Sequence, residues 1–89
     1  MIRKDLRVLN EFGMHARPAG KLTETAKKFA CELKLIKGKM EVDCKSIMGI
    51  MALAAGKGAI LTVVANGKDE AAAVAAIEEM FANKFYLDE

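Results

Sequence analysis

The chain has 89 residues, of which 53% are hydrophobic, 29% are charged and one is proline. That composition suits one small folded domain over residues 1–89 and excludes a disordered tail. Fourteen basic against twelve acidic residues leave a net charge of +2, too little to imply nucleic acid, although a local basic patch would still steer an acidic partner. Arg3, Lys4, Asp5 and Arg7 interrupt the N-terminus, so no signal peptide is expected. The longest uncharged run, Ser46 to Gly56, is about half of the roughly 20 residues that cross a bilayer. The expectation is a cytoplasmic protein with no membrane insertion.

Ile2, Leu6 and Val8 alternate with Arg3, Asp5 and Arg7, which predicts a half-buried strand ending near Asn10. Glu11 to Met14 follow as a loop. From Ala16 to Phe29, the apolar residues Ala19, Leu22, Ala26 and Phe29 recur at spacings of three and four, opposite Lys21, Glu24, Lys27 and Lys28, which predicts an amphipathic helix. Cys31, Leu33 and Leu35 then alternate with polar residues, as do Met40, Val42 and Cys44, and Gly38 between the two runs supplies a hairpin turn. The two cysteines face the same side, so that a disulfide is conceivable, and are expected rather as buried free thiols, with too few ligands nearby for zinc.

Ser46 reads as the N-cap of a short apolar helix carrying Ile47, Met48, Ile50, Met51 and Leu53, ended by Gly56 and Gly58. Ile60 to Ala65 is rich in β-branched residues without clean alternation, as expected of an interior strand, and Asn66-Gly67 makes the next turn. Asp69 is positioned to cap a last helix with the stripe Val74, Ile77, Phe81 and Phe85, leaving the tail Leu87-Asp88-Glu89. The order strand, helix, two strands, helix, strand, helix predicts an α+β open sandwich, an antiparallel sheet with helices on one face. The same order fits a ferredoxin-like RNA-binding module, but its sheet aromatics are missing: Phe12, Phe29, Phe81, Phe85 and Tyr86 all fall outside the strands.

The residues with the most chemical content are Gly13-Met14-His15-Ala16-Arg17-Pro18-Ala19, which hold the chain's single histidine. Pro18 marks the first turn of a helix, where its missing N–H is no loss. His15 then lies at the positive end of that helix, beside the unpaired backbone N–H groups of Ala16 and Arg17, which suit an anion. The Arg17 guanidinium adds a fixed charge with several donors. Neutral imidazole is a good nucleophile near pH 7, and phosphoryl transfer requires mainly positioning and charge neutralisation, which amides and one arginine supply without metal or cofactor. As a bare residue, His15 is equally a surface or capping histidine.

The run Gly13 to Ala19 resembles the active-site signature of the HPr family, the histidine-containing phosphocarriers of the bacterial phosphotransferase system. A second segment, Lys45-Ser46-Ile47-Met48-Gly49-Ile50-Met51, resembles the same family's regulatory serine region, and the likeness extends over nearly the whole chain. The resemblance implies an HPr-like open-faced sandwich of topology βαββαβα, with strand order 1-4-2-3. It implies a phosphocarrier rather than an enzyme. Enzyme I would charge Nδ1 of His15, His15 would pass the phosphoryl group to an enzyme IIA in sugar uptake, and the chain would work as a monomer. The nitrogen-related branch of the same system stays open as an alternative.

In regulated members of the family, HPr kinase/phosphorylase modifies a serine at the place of Ser46; on its own, Ser46 is a helix cap. Phe12, Met14, Ile47, Met48 and Met51 are candidates for partner contact: the flexible thioethers of the three methionines repack against unlike surfaces, and Phe12 lies beside the site. Methionines at helical spacing are otherwise core residues. Two positions depart from the family pattern: Phe12 stands where a small polar residue is common, and Ala54 where glycine is expected.

Overall fold

In the computed structural model, which describes residues 1–87, the elements run β1 (Ile2–Arg7), α1 (Ala16–Ala26), β2 (Glu32–Lys37), β3 (Met40–Asp43), α2 (Ile47–Ala52), β4 (Ile60–Asn66) and α3 (Glu70–Ala82), then a single turn at Lys84–Tyr86. Of the expected tail, Asp88 and Glu89 lie outside the described residues. The strands form one sheet in the order β1-β4-β2-β3, antiparallel throughout. The expected α+β sandwich and strand order are both present. No helix among the described residues is long and apolar enough to cross a membrane.

The sheet explains why β4 lacks alternation. It is paired on both sides, by β1 and by β2. Leu61, Val63 and Ala65 are buried in the core, and Val64, on the opposite face, lies between Arg3 and Lys34 in the cross-strand register. The long side chains of such neighbours cover apolar surface with their methylenes while their charged ends stay wet. Thr62 Oγ1 donates to Asp5 Oδ1 at 2.6 Å on the same face.

The other face carries the core, to which α1 contributes Ala19, Leu22 and Ala26, α2 contributes Ile50, and α3 contributes Ala73, Val74, Ile77, Met80 and Phe81. Burial of each large aliphatic or aromatic side chain among these stabilises the fold by about 1.5–3 kcal/mol. Cys31 and Cys44 are both free and buried. Desolvation raises the Cys31 thiol above its ordinary value and pushes Cys44 up to about 12.

Several local expectations are corrected. The first strand stops at Arg7 rather than near Asn10, although Val8 still exchanges bonds with Ala59 and Gly58. α1 ends at Ala26 rather than Phe29, and the crossing to β2 is tied from two sides. Lys45 Nζ donates to the carbonyls of Phe29 and Cys31 at 2.9 and 3.0 Å. The Asp69 carboxylate accepts from the N–H groups of Ala30 and Cys31 at 2.8 and 2.9 Å.

That second tie changes the role of Asp69. It occupies the N-cap position of α3 but its side chain does not cap the helix; the bond to Ala30 is the first cause of a carboxyl held below its ordinary value. Glu70 Oε1 instead takes the Gly67 N–H at 3.1 Å. Phe85 is buried as expected but is not on α3: Lys84, Phe85 and Tyr86 have φ of 51°, 59° and 57°. This left-handed turn folds the Phe85 ring back to 4.8 Å from that of Phe81.

Candidate functional site

His15 is the N-cap residue of α1, with extended backbone at φ −81° and ψ −171°. The helix therefore begins at Ala16, and Pro18, expected at its start, is the third helical residue. Its ring removes one of the N–H groups that a first turn leaves unpaired. The first intrahelical bond, from Ala19 N–H to the His15 carbonyl, closes at 3.0 Å. The amides of Ala16 and Arg17 are thus the two first-turn donors with no carbonyl four residues back. Arg17 is exposed and has no ion pair among the described residues, leaving its charge available beside them.

The loop that delivers His15 is tightly held. Asn10 and Gly13 bracket a four-residue turn closed by the Gly13 N–H on the Asn10 carbonyl at 3.2 Å. Asn10 Nδ2 also donates to the Gly13 carbonyl. Gly13 has φ of +67°, and a Cβ there would overlap the Ala55 carbonyl oxygen and approach Gly56 Cα to 2.8 Å. Both the conformation and the close approach require glycine. Met14 N–H bonds to the Ala55 carbonyl at 2.8 Å, and Lys57 pairs with Glu11 at 3.0 Å. Two separate contacts therefore hold the loop against the chain leaving α2.

That chain is itself strained. Ala54 has φ of +50°, in the left-handed region where a Cβ is penalised, which accounts for the glycine expected there. Lys37 Nζ donates to the carbonyls of Leu53 and Ala54 at 2.9 and 3.4 Å, satisfying groups that the end of α2 leaves open.

Ser46 caps α2 as expected, with Oγ accepting from the Gly49 N–H at 3.1 Å. The helix has six residues and is about 9 Å long, so its capped end is within about two helical turns of the loop that braces Met14.

The expected contact residues divide. Phe12 is 74% exposed and Met48 83%; Ile47 and Met51 are also exposed. Met14 is corrected: it is 4% exposed and its side chain turns inward to join the core. It has almost no surface to offer a partner. The Phe12 ring stands edge-on to the His15 imidazole, with centroids 6.5 Å apart. No group of three or more His, Cys, Asp or Glu side chains among the described residues is arranged to hold a metal.

Sequence reasoning did not single out Asn10, Lys37 or Ala55 for this site. A signal existed for Asn10, since asparagine three residues before glycine is the pattern of a type I turn. Lys37 and Ala55 act through contacts distant in sequence and left no local trace.

Residues 2–83 match the PTS-HPr family, described as the PTS HPr component phosphorylation site. The phosphocarrier protein HPr of Treponema pallidum is 48% identical over 85 residues, covering 96% of this chain and 97% of that one. Among solved structures, HPr-C-His from Thermoanaerobacter tengcongensis superposes with a TM-score of 0.95 at 35% identity, covering both chains completely. An HPr dimer from the same organism has a TM-score of 0.77 at 36% identity, covering 96% of this chain and 98% of that one. With a family match over residues 2–83 and the same fold at these identities, the chain belongs to the HPr family, the phosphocarrier proteins of the phosphotransferase system.

Proposed function

We propose that His15 is the phosphorylated residue: Nδ1 accepts a phosphoryl group from enzyme I, itself charged by phosphoenolpyruvate, and gives it up to an enzyme IIA in sugar uptake. The observation that carries this reading is the place of His15 at the N-cap of α1. The transferring oxygens meet the partial positive charge of the helix start and the two open amides of Ala16 and Arg17. The Arg17 side chain supplies charge-assisted donors as the bond to phosphorus forms on one side and breaks on the other. Neither step calls for a metal or cofactor. All of these groups come from one chain, so a monomer suffices, and a cytoplasmic location follows from the proposed partners.

The exposed Phe12, Ile47, Met48 and Met51 side chains are the contact residues of this proposal. Ser46 is its regulatory site, modified by HPr kinase/phosphorylase. A phosphate at that position adds about two negative charges at a helix start, which the helix tolerates. The same charges would repel an acidic partner on the surface used for docking.

Incubation with enzyme I and phosphoenolpyruvate, followed by intact mass, tests the central claim. One acid-labile phosphoryl group is expected, and none on His15→Ala, with unchanged circular dichroism because His15 is a loop-end residue. Labelling of the alanine variant would remove His15 from its role.

A further inference from the structure

Asn10 is fully buried, yet its side-chain oxygen Oδ1 has no hydrogen-bond partner among the described residues. A buried polar atom without a partner carries a desolvation cost that an apolar side chain would avoid, so its presence calls for a compensating use of the residue. The amide's other end shows that use. Nδ2 donates to the Gly13 carbonyl, while the Asn10 carbonyl accepts the Gly13 N–H at 3.2 Å. The turn is therefore closed twice, once through the backbone and once through the side chain.

Both closures act on Gly13, two residues before His15. Beyond Gly13 the next restraint is the bond from Met14 N–H to Ala55 at 2.8 Å, and beyond that the chain enters α1. With Gly13 in the left-handed region at φ +67°, a small rotation of its peptide would swing His15 relative to the Ala16 and Arg17 amides. Glu11 and Phe12, at the corners of the turn, are exposed, and the Lys57–Glu11 pair at 3.0 Å holds the Glu11 side chain rather than the Gly13 peptide.

We propose that Asn10 is a positioning residue for phosphoryl transfer: its side-chain amide fixes the Gly13 peptide and through it the placement of His15 over the first turn of α1. This rests on the reading that His15 is the acceptor. Loss of the bond leaves the imidazole chemically intact but less often in line with the incoming phosphorus, which lowers the rate at saturating donor more than it weakens donor binding.

The test compares wild type, Asn10→Ala, Asn10→Asp and Thr23→Val in rapid-quench transfer from phosphorylated enzyme I, with thermal melts of each. Thr23 is a control, a second buried residue whose side-chain oxygen has no partner among the described residues, but lying within α1. Asn10→Ala is expected to slow transfer at saturating donor by about tenfold to a hundredfold, with KM changed much less. Thr23→Val is expected to alter stability only.

Asn10→Asp serves where the alanine variant fails to fold. A protonated Asp carboxyl can still donate to the Gly13 carbonyl, whereas the ionised form repels it. The transfer rate of Asn10→Asp relative to wild type should therefore fall as pH rises from about 5 to about 8. A folded alanine variant within twofold of wild type, or a pH-independent ratio near one for the aspartate variant, overturns the proposal. A wild-type protein that takes no phosphoryl group on His15 overturns the underlying reading instead.

Discussion

The Met14 N–H donates to the Ala55 carbonyl at 2.8 Å, joining the residue before His15 to the loop after α2. Ala54, one residue earlier in that loop, has φ of +50°. The brace of the proposed phosphoryl site thus leans on a backbone conformation that alanine disfavours. Ala54→Gly is expected to stabilise the protein by about 0.5–1 kcal/mol, the relief of strain exceeding the added freedom of the unfolded chain. Ala54 is exposed, so no core contact is lost. The thermal midpoint should rise by about 4 °C; an unchanged or lowered midpoint would show that the Lys37 bonds already absorb the strain.

Arg17→Ala should slow phosphoryl acceptance by at least about tenfold, since losing one charge-assisted contact to the transferring group raises the barrier by more than about 1.4 kcal/mol. Its exposed position predicts almost no change in stability. Rapid-quench rates at saturating enzyme I decide the matter, and equal rates would mean that the Ala16 and Arg17 amides suffice.

Ser46→Asp should leave the thermal midpoint unchanged while weakening the binding of enzyme I. Aspartate can accept the same Gly49 N–H that Ser46 Oγ now accepts, and its charge suits a helix start. Against an acidic partner surface the added charge is repulsive, more so at low salt. Titration calorimetry at two ionic strengths checks both effects; equal affinity at each would leave Ser46 as a cap.

The acid side of the stability profile should depend on Asp69 and Glu70. Asp69 is held below its ordinary value of 3.8 first by the Ala30 N–H, and Glu70 below 4.5 first by the N-terminal ammonium. A carboxyl with a lowered folded pKa stabilises the fold above its unfolded value, and that contribution is lost as pH falls through the folded one. Asp69→Asn should accordingly be less stable than wild type at neutral pH, with the difference shrinking toward about pH 2–3. Urea midpoints across this range measure it, and a constant difference would contradict the assignment.

Much of this architecture is legible from local pattern. The alternation in β1, β2 and β3, the Ser46 cap and the doubly apolar β4 each follow from the neighbours a residue has along its own element. Partners chosen across the fold are another matter. Asp69 looks like a cap because it precedes a helix, but two amides of the α1–β2 crossing compete for its carboxylate and win. Phe85 continues the spacing of Val74, Ile77 and Phe81, yet reaches the core through a left-handed turn that no periodicity encodes. Met14 looks available in a loop beside the site, yet its side chain packs into the core. At the site, His15 and Arg17 are visible because their chemistry is distinctive, whereas Asn10 acts only through the shape of a turn.

The two buried cysteines make this protein convenient to label. With both thiols raised, Cys44 to about 12 and Cys31 by burial first, little thiolate forms near neutral pH and reagents have scant access to either sulfur. Ellman's reagent should give almost no colour until denaturant is added, when both sulfurs react. A cysteine introduced at the exposed Met48 would then take a fluorophore alone, so encounters with the proposed donor, enzyme I, could be followed by single-site fluorescence without first removing either native cysteine.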